Sequence, residues 1–171
     1  MIENFETLYK SKEKKKFDRI SSWSKLASFE NIEEDIIYDS RVIYTLNWLI
    51  YKYNKENDKQ EKYLFQPDDR NKKLSLLSVN AILYFDNATK LKEDERGDKI
   101  YNDIFIEKNS CYDYAREMIQ CINKLLFKDK KVPILSQNIE ADTYPFFTEM
   151  LLFEIADKAV FQDIKGSVKI T

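Results

Sequence analysis

Carboxylates are the side chains of this sequence whose types and spacing offer chemistry. Histidine is absent, which removes Ser-His-Asp and Cys-His nucleophiles, His-ligated zinc, and helical ribonucleases that work with an Arg-His pair. Two cysteines cannot build a four-thiolate site, and Gly97 and Gly166, the only glycines, draw no phosphate-cradling loop. What is left is acid-base or Mg²⁺ chemistry by Asp and Glu. Pro67-Asp68, followed at a distance by Asp129-Lys130-Lys131 or Asp163-Ile164-Lys165, loosely imitates the order of groups in some metal-dependent nucleases. Those enzymes set their carboxylates on adjacent strands, whereas Asp68 reads as a helix-start acid and the other two as helix ends. The expectation is therefore no catalytic residue, no cofactor and no metal, with a carboxylate and Mg²⁺ nuclease as the last of three readings.

Charge patterning points elsewhere. Residues 138–164 hold six acids against one Lys, and Glu149, Glu154 and Asp157 fall in a helical stretch. They are expected to form a surface acidic patch suited to a basic partner. Tyr38, Tyr44 and Tyr51 step by six and seven along another helical stretch, either widening its core face or making a second, interacting face. Two basic clusters, Lys10, Lys12, Lys14, Lys15 and Lys16, and then Lys128, Lys130 and Lys131, could touch a nucleic-acid backbone. The net charge of −2 argues against a binder held by phosphate contacts alone.

The elements that must position these groups read as helices. Two Gly and three Pro are too few for many strands joined by tight turns, and 43% apolar residues suffice for a packed core. The expectation is a mostly α, single-domain bundle over 1–171 with five to seven helices and a short strand pair at 100–107 and 134–139. The longest predicted helix runs from Asn31 to Asn57, with Ile32, Ile36, Ile43, Leu46, Ile50 and Tyr53 on one face. Asn31 and Glu34 are spaced as a capping box, and Trp48 is expected to fill the core. Ile2, Phe5, Leu8 and Tyr9 suit an amino-terminal helix, and the Ser-rich stretch after Ile20 weakens helix propensity.

A helix announced by Pro67, Asp68 and Asp69 should carry Leu74, Leu77, Ala81, Phe85, Ala88 and Leu91 as one stripe. Another opens at Ser110, with Ala115, Met118, Ile122 and Leu125 inward. The last, from about Thr143 to Lys165, is apolar on two sides, as in the middle of a bundle, and is expected to pair with the long helix. Cys111 and Cys121 should be small buried side chains. On one helix they would sit about 15 Å apart along the axis, too far to pair.

No signal peptide or membrane span is read, so the expected setting is cytoplasmic. The leading functional reading is a non-enzymatic protein-binding module, a small inhibitor or neutralising protein of the immunity protein, antitoxin or phage-encoded inhibitor kind. It would act through Glu149, Glu154, Asp157, Tyr38, Tyr44 and Tyr51 on a protein partner. The alternative is an accessory subunit of a nucleoprotein complex using the Lys clusters.

Overall fold

The computed structural model describes residues 19–67, 72–87, 92–93, 99–100, 104–134 and 137–167. Helices dominate: α1 (Ile20–Glu30), α2 (Ser40–Asn57), α3 (Lys72–Leu76), α4 (Val79–Asp86), α5 (Cys111–Leu126), α6 (Phe146–Ile155) and α7 (Phe161–Ser167). Two antiparallel strand pairs accompany them, β1 (Lys92–Glu93) with β2 (Lys99–Ile100) and β3 (Lys131–Ile134) with β4 (Gln137–Glu140). The mostly α class with short strands is what the composition implied. The pairing differs from expectation, because each strand takes its neighbour in sequence rather than 100–107 joining 134–139. The chain groups into two compact units. Of the described residues, the first holds those up to Tyr38 together with those of Tyr112–Glu149, and the second those of Asp39–Cys111 with those from Met150 onward. The proposed amino-terminal helix lies outside the described residues.

In the first unit the helix predicted from Asn31 does not form there. The Glu34 and Asp35 amides both donate to the Asn31 carbonyl, and Asn31 Nδ2 meets Glu34 Oε2 at 3.2 Å, so the capping-box pair closes an isolated turn. Beyond it three successive amides go to side chains: Ile36 to Tyr112 Oη (3.2 Å), Ile37 to Glu149 Oε1 (2.5 Å) and Tyr38 to Ser24 Oγ (2.9 Å). Buried amides need partners, and these partners replace the helical ladder. Ile36 and Tyr38 are fully buried, whereas Ile32, assigned to the same face, is 52% exposed. Ser24 also explains why α1 forms through its serines. Ser24 and Ser28 are buried, and Ser21 Oγ donates to the Tyr38 carbonyl, so tertiary hydrogen bonds outweigh the weak propensity.

The hairpin of this unit pairs Lys131 with Glu140, Val132 with Ile139, Pro133 with Asn138 and Ile134 with Gln137. The Ala141 amide returns to the Lys130 carbonyl. Ladder bonds alternate along an antiparallel pair, so Pro133 occupies a non-bonded position and its missing N–H costs the hairpin nothing. Lys131 and Glu140 face each other at 3.1 Å. In α5, Tyr112, Ala115 and Ile119 are buried, while Leu125 is 80% exposed, contrary to its assignment to the inner face. Cys121 is exposed as well, against the expectation that it would be buried.

The second unit is organised on α2. Asp39, in extended conformation, accepts from the Arg41 amide at 2.8 Å and caps the helix, and Asp58 ends it in the left-handed region (φ 50°). Val42, Ile43, Leu46, Trp48 and Ile50 are buried, and Tyr53 is not. The 74–91 stripe breaks at Ser78, whose Oγ accepts from the Ala81 amide and starts α4 anew. Leu74, Val79 and Leu83 are therefore the inward residues, Ala81 and Phe85 are exposed, and Ala88 and Leu91 lie outside the described residues. Residues 104–106 form a single parallel bridge with Tyr63, the Tyr63 amide donating to Ile104 and the Ile106 amide to Tyr63. Phe105 stacks on Phe65 at 4.7 Å, and Cys111 is buried with Sγ toward the Ile106 carbonyl.

Between α6 and α7 a π-helical stretch, Ala156–Val160, widens the helix. The buried residues Leu152, Ala156, Val160 and Ile164 recur every fourth position. On an α-helix such a stripe drifts by about 40° per step, and the wider π turn brings it back into line. Thr45 Oγ1 donates to the Leu152 carbonyl at 2.9 Å, so α2 and this segment are mates as expected. The two-sided burial is not seen: Met150 and Leu151 are 49% and 41% exposed.

Candidate functional site

The residues assigned to an acidic and aromatic surface have mixed fates. Tyr38 and Tyr44 are fully buried, the latter donating its hydroxyl to the Leu77 carbonyl, so they belong to cores. Glu149 is 5% exposed and holds the Ile37 amide, which corrects its reading as a surface acid. Glu154 is exposed and pairs with Lys158 one turn on, which lowers its pKa. Asp157 is half-buried, meeting Arg41 at 3.4 Å while its carbonyl accepts from Lys73 Nζ at 2.6 Å. Lys128, Lys130 and Lys131 are exposed, with Lys131 on Glu140 and Lys130 over the Phe127 ring. Lys10, Lys12, Lys14, Lys15 and Lys16 lie outside the described residues. So does Asp68, and among the described residues no three Asp, Glu or Cys gather as a metal cage.

What the second unit does bring together starts from the spacing on α2. Trp48 and Lys52 are four apart and both reach Asp163 Oδ2, at 2.8 and 3.1 Å. Tyr51 and Lys55 repeat the arrangement on Asp86 Oδ2, at 2.6 and 2.8 Å. Each aspartate thus takes one aromatic N–H or O–H and one ammonium from consecutive turns of one helix. The rings of Trp48 and Tyr51 stack at 5.0 Å, and Lys55 Nζ lies 5.4 Å from the centre of the Tyr51 ring. The aromatic-x-x-x-Lys repeat at 48/52 and 51/55 is a signal in the sequence. Nothing local, however, announces Asp86 and Asp163 as its acceptors.

Tyr51, Lys55 and Asp86 open onto a cleft of about 410 Å³, lined also by Asn54, Tyr63 and Asp58. Asn54 builds part of the wall, because its Oδ1 accepts from the Glu61 amide and its Nδ2 reaches the Glu61 carbonyl and Tyr63 Oη. Tyr63 is 5% exposed and fixed by its bridge to residues 104–106. A cleft of this size accommodates a small molecule or one side chain, although its lining is more polar than that of a typical ligand pocket.

Burial dominates the electrostatics of this site. Burial, then the hydrogen bond to Asp86 and that carboxylate's charge, push the Tyr51 phenol well above the usual tyrosine range. Tyr63 is raised by burial, with the Asn54 bond opposing. A phenol held neutral keeps its proton and donates hydrogen bonds, as Tyr51 does to Asp86. Asp163 is held below the usual carboxylate range by the Trp48 N–H first and Lys52 second, so it stays ionised.

The raised phenols have a signed consequence. Unfolded tyrosines ionise near pH ~10. Above that the unfolded chain has released protons the folded one keeps, so stability falls as pH rises and is fully present below. Tyr51→Phe is expected to flatten the alkaline limb of the stability-pH curve measured in urea. Superimposable limbs for both proteins would exclude Tyr51 from the groups responsible.

No protein-family model, curated protein or solved structure matches the chain. Its functional reading therefore rests on geometry and chemistry. Among the described residues no helix is long and apolar enough to cross a membrane.

Proposed function

We propose that this chain is a non-enzymatic protein-binding module, of the kind that inhibits or neutralises its partner. The observation that supports the reading is large apolar side chains standing out of helices that already bury another face. In the second unit Phe85 and Leu76 are 84% and 79% exposed while Leu74, Val79 and Leu83 are buried. Leu49 and Tyr53, one turn apart on α2, are exposed as well. Scattered exposed leucines are ordinary, but a phenylalanine this open on an ordered helix is the type of residue that anchors an interface when buried by a partner. The surface proposed is thus aliphatic and aromatic, built on Phe85, Leu76, Leu49 and Tyr53, in place of the acidic and tyrosine-bearing one that the sequence suggested.

A photo-crosslinking residue at position 85, with a second placed at the exposed polar Glu56 as control, tests this in source cells. One discrete protein adduct at 85, absent at 56, is expected. The purified pair should then lose about tenfold or more in affinity on Phe85→Glu, the scale of a buried aromatic anchor. No adduct at 85, or the same adducts at both positions, removes the reading.

A further inference from the structure

The cleft at the end of α2 already shows which chemistry its seat accepts. Lys55 places an ammonium on Asp86 Oδ2 at 2.8 Å and toward the face of Tyr51, a carboxylate and an aromatic ring meeting one cation. That lysine is a loose occupant, since its side chain is 60% exposed while that of Asp86 is 27% exposed. The ring beneath it is not loose: Tyr51 is tied to Asp86 by its hydroxyl and stacked against Trp48. The remaining charges favour the same sign of guest. Among the described lining residues, Lys55 and Lys59 against Asp58, Glu61 and Asp86 leave one negative charge in excess, and the carboxyl end of an 18-residue helix adds its negative pole.

The geometry points to a cation-binding site in which Lys55 is a built-in competitor and the guest is an alkylguanidinium. A guanidinium is less strongly hydrated than an ammonium, lies flat on an aromatic ring and presents several donors in one plane, so it displaces Lys55 from Asp86 into solvent. Asn54 and the Tyr63 hydroxyl supply the polar wall beside it. The site stands apart from the Phe85 reading, because its seat is Asp86 and Tyr51 and the probes reach it without any partner protein. The two ideas therefore fail in different experiments.

The test titrates agmatine, the blocked tripeptide acetyl-Ala-Arg-Ala-amide and methyl phosphate into the full chain. Binding is followed by the NMR signals of the Asn54 side-chain amide and the Trp48 indole N–H. The guanidinium probes are expected to shift both signals with saturation, and Lys55→Met should tighten their binding about fivefold by removing the competitor. Asp86→Asn should weaken it tenfold or more, and Tyr51→Leu should weaken it also. Tighter binding of the tripeptide would identify the natural guest as an arginine side chain, and equal binding a free guanidinium compound. Because Lys55 is exposed, Lys55→Met folds whatever Asp86→Asn does. Absence of saturable shifts in Lys55→Met overturns the proposal. So does the opposite order, methyl phosphate binding that Lys55→Met weakens.

Discussion

Asn47→Ala is expected to destabilise the protein by about 3 kcal/mol, the cost of leaving two buried backbone groups without partners. Asn47 is fully buried in the middle of α2, and its side chain acts toward Leu64 as a neighbouring strand would. Nδ2 donates to the Leu64 carbonyl at 2.8 Å, and Oδ1 accepts from the Leu64 amide at 2.9 Å. Leu64 is itself fully buried, so water cannot replace either bond without opening the core. The effect reaches the cleft, because Leu64 follows Tyr63, which bridges to residues 104–106 and lines the cavity. Urea-induced unfolding of the variant measures the loss. A change under about 1 kcal/mol would mean that one neutral hydrogen bond's net worth, and no unsatisfied pair, is at stake. Asn47→Asp should not rescue it, since a carboxylate keeps the acceptor but loses the donor and buries a charge.

The second large effect is placed in the other unit. Tyr112→Phe removes a single oxygen, yet that oxygen accepts from the Ile36 amide at 3.2 Å and donates to Asp35 Oδ1 at 3.0 Å. Asp35 is 4% exposed, and Arg116 meets the same oxygen at 3.6 Å, longer than a good charge-assisted bond. The ring packs on Trp23 at 4.5 Å and keeps its place in the variant. Packing is thus preserved while a buried amide and a buried carboxylate each lose a partner, at an expected cost of about 2–3 kcal/mol. Thermal unfolding with amide exchange at Ile36 checks it: the melting temperature should fall and that amide should lose protection. Tyr114→Phe, at a position 54% exposed, is the control that should change neither. An unshifted Ile36 amide in Tyr112→Phe would show that the segment holds without the hydroxyl.

These two residues also mark the boundary of what was legible. The helical class was, because apolar residues at helical spacing around Ile43, Leu46 and Ile50 stay inward in the structure, as does Ala115 of α5, although Met118 and Ile122 are only half-buried and Leu125 is exposed. The pairing of α2 with the final segment was legible for the same reason. The extent of the long helix was not. Asn31 and Glu34 carry a cap signature, but Ile36, Ile37 and Tyr38 find hydrogen-bond partners that outcompete the helix. Those on Tyr112 and Glu149 are 76 and 112 residues away.

Sites were less legible than elements. Glu149, Glu154 and Asp157 are alike in sequence, and only packing makes the first a buried acceptor, the second an exposed ion-pair member and the third a partner of Arg41. Ser78 splits a regular stripe and turns Phe85 outward. By itself the sequence determined which stretches favour helices, the absence of histidine chemistry and the aromatic-x-x-x-Lys repeat of α2, all of which depend on residue type and local period. The tertiary structure decided the start of α2, the burial of Tyr38, Tyr44 and Glu149, and the seating of Tyr51 and Lys55 on Asp86. Period specifies that a helix has faces. It does not specify which distant backbone amide or carboxylate will meet a given face, and that pairing creates both the cores and the cleft.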